Sequence, residues 1–168
     1  MSQVAAGDKA AMRALYLRHA ETAQRFVQSR LRDQFEVADI VHTTMLEVWR
    51  TAGRFKGRSS VRSWILSIAR NKTIDHIRKS ARVDVSEPDE TIPDDAPDAE
   101  AVMAAVQDSA RVRACVENLS PQHRSAVHLA FFQDMSYGEI AEVEGVPEGT
   151  IKTRIYHAKK LLMRCLSK

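Results

Sequence analysis

Cysteine, proline, glycine and aromatic residues are all scarce in this chain: 2 Cys, 5 Pro, 6 Gly and 6% aromatics in 168 residues. Cys115 and Cys165 lie far apart, each among apolar residues at helical spacing. They read as small buried hydrophobes rather than a bridge or a metal site, and a reducing compartment follows from that reading. No run approaches the roughly eighteen consecutive apolar residues that cross a bilayer. The N-terminal stretch carries charges where a signal peptide needs an apolar centre. The expectation is a cytoplasmic protein without membrane insertion. The six histidines form no HExxH pattern and have no Cys-x-x-Cys companion, and no phosphate-cradling glycine loop exists. His123 and His128 are five apart, off one helical face. With no convergent ligands and no nucleophile paired with a base, neither an enzyme nor a cofactor or metal site is expected. Sustained alternation is also missing, so no strand is predicted.

What the chain does have is charge, unevenly placed. Residues 1–82 hold 16 Lys+Arg against 7 Asp+Glu, residues 83–110 none against 9, and residues 111–168 hold 9 against 6. A modest net of +3 thus conceals a basic head, an acidic middle and a basic tail, the asymmetry of a polyanion-binding protein with an acidic tether. Pro88, Pro93 and Pro97 cluster in that middle, which has few large apolar residues and reads as a flexible linker.

Helical periodicity flanks the linker on both sides, giving an all-α reading with two small helical domains. Upstream, helices are predicted over Ala10–Leu31, over Val37 to about Arg54, and from an N-cap at Ser60 to about Lys79. The third is irregular: Val61, Trp64, Ile65 and Ile68 share one side, while Leu66, Ile74 and Ile77 lie on another. Packing on different sides at its two ends would explain this. Downstream, Ser120-Pro121 opens a helix ending near Gln133. Ser136 with Glu139 is a capping box opening a short helix to Glu144, Gly145 breaks it, and a final helix runs from Pro147 to about Ser167.

Ser136 to Lys160 therefore has the layout of a helix-turn-helix. On its second helix Ile151, Ile155, Ala158, Leu162 and Cys165 fall in one arc. Gly149, Thr153, Tyr156, His157, Lys160 and Arg164 fall opposite, with Lys152 and Arg154 on the flanks. The outward face contains no acid. Lys can donate to guanine or phosphate, Thr can meet a thymine methyl, and Gly149 allows close backbone approach, so these residue types suit a major groove. The plainer alternative is a solvated helical hairpin.

Leu119-Ser120-Pro121, Met135 to Ala141, Gly149 to Arg154 and Ala158 resemble the C-terminal domain of extracytoplasmic-function sigma factors of bacterial RNA polymerase. The resemblance implies a domain, here 111–168, that reads a promoter's minus-thirty-five element. Lys152, Thr153, Tyr156 and His157 match its DNA-contacting positions, with Gly149, Arg154 and Lys160 beside them. His157 stands where Arg is commoner.

The first half is similar to the same family's other domain, here 1–82. Asp39-Ile40-Val41, Leu46 to Trp49, Phe55-Lys56-Gly57 and Trp64 to Asn71, with Asp75 and Arg78, agree in spacing without gaps. By that resemblance Phe55, Ile68 and Asn71 line a pocket for a flipped minus-ten base, and the Lys56–Ser60 loop, with Arg58, closes it. Cations that hold phosphates, an aromatic wall and an amide that reads an edge are what capture of an unstacked base needs. Lys72, Arg78 and Lys79 extend the basic surface, although any one cation alone could be mere solvation. Trp49 and Trp64 read as core anchors, and Asp75 as the partner of a neighbouring cation. The second helix, through Asp39, His42, Thr43, Leu46, Glu47 and Trp49, is expected to dock on core RNA polymerase. His42 and Thr43 depart from the family's Gln-acid pair, and Met45 from its usual aromatic.

The implied partners are core RNA polymerase, promoter DNA as duplex and as melted strand, and an anti-sigma factor. The 26 residues from Val83 to Asp108 would average roughly 28 Å end to end as a coil. Two elements two helical turns apart are about 70 Å distant. The relaxed tether falls short, so free protein is expected to bind duplex promoter weakly. A stand-alone helix-turn-helix regulator is the main rival, and it predicts a dimer on a palindrome.

Overall fold

The computed structural model describes residues 1–83 and 110–167. The acidic linker, apart from its end residues, lies outside the described residues. Among the described residues the structure is helical, with no strand. The N-terminal unit comprises α1 (Ser2–Ala5), α2 (Lys9–Gln28), α3 (Gln34–Thr51), a 3₁₀ turn over Ala52–Arg54, and α4 (Val61–Val83). The C-terminal unit comprises α5 (residues 110–117), α6 (Pro121–Val127), a π turn over His128–Phe132, α7 (Tyr137–Glu144) and α8 (Glu148–Leu166).

Short polar side chains start and stop these helices. The Asp8 carboxylate accepts from the Ala10 and Ala11 amides, and Asp33 does the same for Phe35 and Glu36, satisfying donors that a first turn leaves orphaned. The first long helix stops at Gln28, three residues short of the expected Leu31. There Ser29 Oγ donates to the Phe26 carbonyl and the chain turns, bringing Arg30 inward. Ser60 caps α4 through the Ser63 amide, and Ser120 caps α6 through the His123 amide, with Pro121 at the first helical position.

Phe26, Val27, Val37, Val48, Ile65, Leu66, Leu129, Ile140, Val143 and Ile151 are all 1% exposed or less and belong to one apolar cluster. That cluster crosses from one unit to the other: α4 packs on α2 and α3 within its own unit and on α7 of the second. The irregular apolar pattern of α4 has a different cause from the one expected. Ile65 and Leu66 are adjacent and equally buried, so the middle of the helix is enclosed on two sides at once. Near its end Ile77 is 40% exposed.

A second expectation is overturned. Cys115 of α5 and Cys165 in the last turn of α8 are joined by a disulfide, their Cα atoms 5.8 Å apart. Each cysteine does sit among apolar residues at helical spacing, but the fold brings the two together. Arg111 Nη2 donates to the Leu166 carbonyl at 2.9 Å alongside them. The cysteines therefore give no support to a reducing compartment.

Candidate nucleic-acid interface

The helix-turn-helix is assembled from local signals. Ser136 Oγ accepts from the Glu139 amide while the Glu139 carboxylate accepts from the Ser136 amide at 2.9 Å, a closed capping box. That backbone donation is the main reason the Glu139 carboxyl sits below its ordinary pKa, with Arg62 adding to it. Gly145 ends α7 with φ +61°, a left-handed conformation that glycine adopts without steric cost. Ile151, Ile155 and Ala158 turn α8 inward and are at most 2% exposed.

Opposite them Gly149, Lys152, Thr153, Tyr156, His157 and Lys160 are all exposed. Thr153 Oγ1 donates to the Gly149 carbonyl at 3.0 Å, which occupies the hydroxyl within the helix. Lys152 Nζ donates to Glu148 Oε1 at 2.8 Å, and that bond raises its pKa above the ordinary lysine value. Tyr156 is 64% exposed, with its ring edge-on to His157 at 5.4 Å between centroids. Partial burial, then the charges of His157 and Arg154, hold the neighbouring His123 below the usual imidazole value. Arg154, expected on the same surface, is instead turned aside. Its side chain is 16% exposed and lies 3.7 Å from Glu144 Oε2.

In the N-terminal unit the Phe55 ring packs against Trp64, centroids 5.3 Å apart, so the aromatic wall is anchored from behind. Ile68 is half-buried, and Asn71 is exposed, its Oδ1 accepting from Arg70 Nη1 at 3.1 Å. Lys56, Arg58, Ser60, Arg78 and Lys79 are exposed, and Gly57 makes the loop's turn at φ +65°. On α4 itself Ile68, Asn71, Arg78 and Lys79 fall on one side at helical spacing. Lys72 pairs with Glu47 of α3 at 3.6 Å, linking a residue expected to bind DNA with one expected to dock on polymerase. Trp49 and Trp64 are half-buried against the core, as expected of anchors. Asp75 is exposed, and no ion pair to it occurs among the described side chains, contrary to the expected pairing.

On α3, Asp39, His42 and Leu46 form an exposed stripe, with Leu46 at 51% exposure, while Thr43 Oγ1 is turned into its helix toward the Ile40 carbonyl. Phe35 begins the same stripe at 88% exposure. Sequence reading missed it, although a lone Phe two residues after an N-cap Asp, outside the apolar arc, was a legible signal. It also missed Glu144 and Arg30, and it read Arg70 only as one of the cations facing nucleic acid, not as a neighbour of Glu144. These converge between the units, and no local pattern marks them.

Two family models match: Sigma-70 region 2 over residues 15–83 and Sigma-70 region 4 over residues 109–162. The chain is 32% identical over 163 residues to the ECF RNA polymerase sigma factor RpoE of Cereibacter sphaeroides, spanning 95% of this chain and 88% of that one. It is 30% identical over 171 residues to the ECF RNA polymerase sigma factor SigL of Mycobacterium tuberculosis, spanning 96% and 92%. The fold is similar to that of the sigma factor RpoE of Bartonella quintana, solved in complex with the anti-sigma factor NepR, at TM-score 0.72, 23% identity and coverage of 92% and 96%. CnrH, solved in complex with the cytosolic domain of CnrY, gives TM-score 0.72, 24% identity and coverage of 99% and 94%. With two sigma-region matches in order along the chain and near-full-length relatives, this protein belongs to the family of ECF RNA polymerase sigma factors.

Proposed function

We propose that this chain binds core RNA polymerase and directs it to promoters as a transcription initiation factor, acting by binding rather than catalysis. The exposed face of α8 carries the proposal: Thr153, Tyr156, His157 and Lys160 stand outward, beside the Lys152–Glu148 pair, on a helix whose opposite face is locked into the core. That face reads the minus-thirty-five element in the major groove, with Lys152 and Gly149 at the start of the helix. Phe55, Ile68 and Asn71 take up a flipped minus-ten base. Lys56, Arg58, Lys72, Arg78 and Lys79 hold the phosphates around it and Ser60 fixes the loop. The α3 stripe of Asp39, His42 and Leu46 docks on the polymerase, with Glu47 and Thr43 on its margin.

The units correspond to a docking and melting domain in 1–82 and a duplex-reading domain in 111–168, with 83–110 as the tether. Work of this kind places the protein in the cytoplasm. The Bartonella quintana relative was solved in complex with an anti-sigma factor, which supports an anti-sigma factor here as well. The test is transcription in vitro with purified protein and core polymerase on a genomic fragment library. Starts at defined sites that depend on this chain are expected. Unchanged background transcription, or tight binding of a dimer to a palindrome without polymerase, would overturn the reading.

A further inference from the structure

Residues of α2, of α5 and of α6 with its π turn line one cleft of about 760 Å³. Its apolar wall comes from Val112 and Val116, one turn apart on α5, and from Phe132. Val112 and Phe132 are large and apolar, yet 42% and 60% exposed. The Phe132 ring stacks on that of His128, centroids 5.5 Å apart and planes 20° from parallel, so two aromatic rings border the cleft together. The Cys115–Cys165 bridge anchors α5 beside Val116, which ties the valine side of the wall covalently to α8.

The polar part of the lining is cationic. Arg25 of α2, Arg113 of α5 and Arg124 of α6 contribute to it, against the one carboxylate of Glu117. Arg25 is engaged by Glu21, and Arg124 Nη2 donates to the Glu117 and Leu119 carbonyls at 2.6 and 3.1 Å. No ion pair to Arg113 occurs among the described side chains. Two groups of the lining register the excess of positive charge. Burial, then the charge of Arg25, lowers the pKa of His128, and burial, then the charge of Arg32, lowers that of Arg124. Where cations depress one another in this way, an entering anion is stabilised. Arg124 Nε and His128 Nε2 are also buried without a hydrogen-bond partner among the described residues, so the lining does not satisfy itself.

Size narrows the occupant. A helix about 10 Å across fills roughly 420 Å³ per turn, so the cleft takes in less than two turns of one. Its volume lies instead in the range of small-molecule sites, which join an apolar wall to a few convergent polar groups. Stacked rings favour a flat partner, and a guanidinium fork favours a carboxylate.

We propose that this cleft binds a small aromatic carboxylate, its ring laid against Phe132 and the valines of α5 and its charge paired with Arg113 and Arg25. The site uses no residue assigned above to promoter or polymerase, so it stands or falls independently of the initiation reading.

The test titrates the full chain with anilinonaphthalene sulfonate, an aromatic monoanion whose fluorescence rises on leaving water, and then displaces the dye with naphthoate or with its neutral counterpart, naphthalenemethanol. The dye is expected to saturate one site per chain with a Kd on the order of 10–100 µM. Naphthoate should displace it at least about fivefold more effectively than the alcohol, and Arg113→Gln should abolish that preference while sparing the alcohol. Val116→Trp, which fills the cleft, should weaken all three by about tenfold or more. Helical circular dichroism checks that each variant stays folded; should Val116→Trp unfold, Arg113→Gln alone decides. Dye uptake without saturation, a dye that naphthoate cannot displace, equal displacement by acid and alcohol, or binding indifferent to the folded variants overturns the site.

Discussion

Opening the Cys115–Cys165 bond should cost the C-terminal unit a large share of its stability. The cysteines are 50 residues apart in sequence, and nearly all of α5 to α8 lies in the loop they close. Cross-linking a loop of that length removes about 14 cal/mol/K of entropy from the unfolded chain, or about 4 kcal/mol at 25 °C. The folded side changes little on reduction, since Cys115 is buried at 6% exposure and two thiols fill nearly the same volume as the bridge. With a urea slope of about 2 kcal/mol per molar for a domain of this size, the midpoint should fall by about 2 M. The slope itself should rise slightly, because the reduced unfolded chain exposes more surface. The assay is urea unfolding followed by helical circular dichroism, with and without a phosphine reductant, and on the Cys115→Ala, Cys165→Ala double variant. Thiol titration in denaturant should find no free thiol in oxidised protein and two after reduction. Two free thiols in protein purified without reductant, or a midpoint that reduction leaves in place, would refute the reasoning.

Two further predictions follow from the C-terminal unit. Burial, then the charge of Arg25, lowers His128 from 6.5 to about 4. Between these values the unfolded chain holds a proton that the folded chain does not. The stability His128 contributes is therefore intact above pH 6.5 and lost as pH falls toward 4, by up to about 3 kcal/mol. His128→Gln should flatten the fall in urea midpoint across that window, and a variant whose pH profile parallels the wild type would count against it. Gly145→Ala should cost about 1 kcal/mol through its left-handed backbone alone, because the added methyl would meet Arg70 Nη1 at an ordinary 3.6 Å. A loss above about 3 kcal/mol in the same assay would refute this and mean that the methyl displaces Arg70 from Glu144.

How much of this could be read from the chain depends on whether a feature is local. Ser60, Ser120, Ser136 with Glu139, and Gly145 each act within four residues, so their caps and turns were legible. The outward face of α8 was legible too, because its inner face follows the 3.6-residue period. Arg154 shows where that logic stops: the period puts it on the flank, but only the fold reveals the buried carboxylate beside it. The same holds for Arg30 and Glu144, 114 residues apart, and for the two cysteines. In each case one residue's environment is supplied by another helix, and amphipathic spacing reports that a face is covered without saying by what. The irregular apolar pattern of α4 is similar. Ile65 next to Leu66 signals two buried sides, and the second side was filled by a unit that periodicity had treated as separate.

The disulfide also sets a force path. Chain tension arriving at residue 110 passes along α5 to Cys115, and from there the covalent link delivers it straight to the tail of α8. The hydrogen bonds and packing of α6 and α7 are spared the load. A pull between residues 110 and 167 would thus load the covalent link first and leave the packing of α6 and α7 on α8 outside its path.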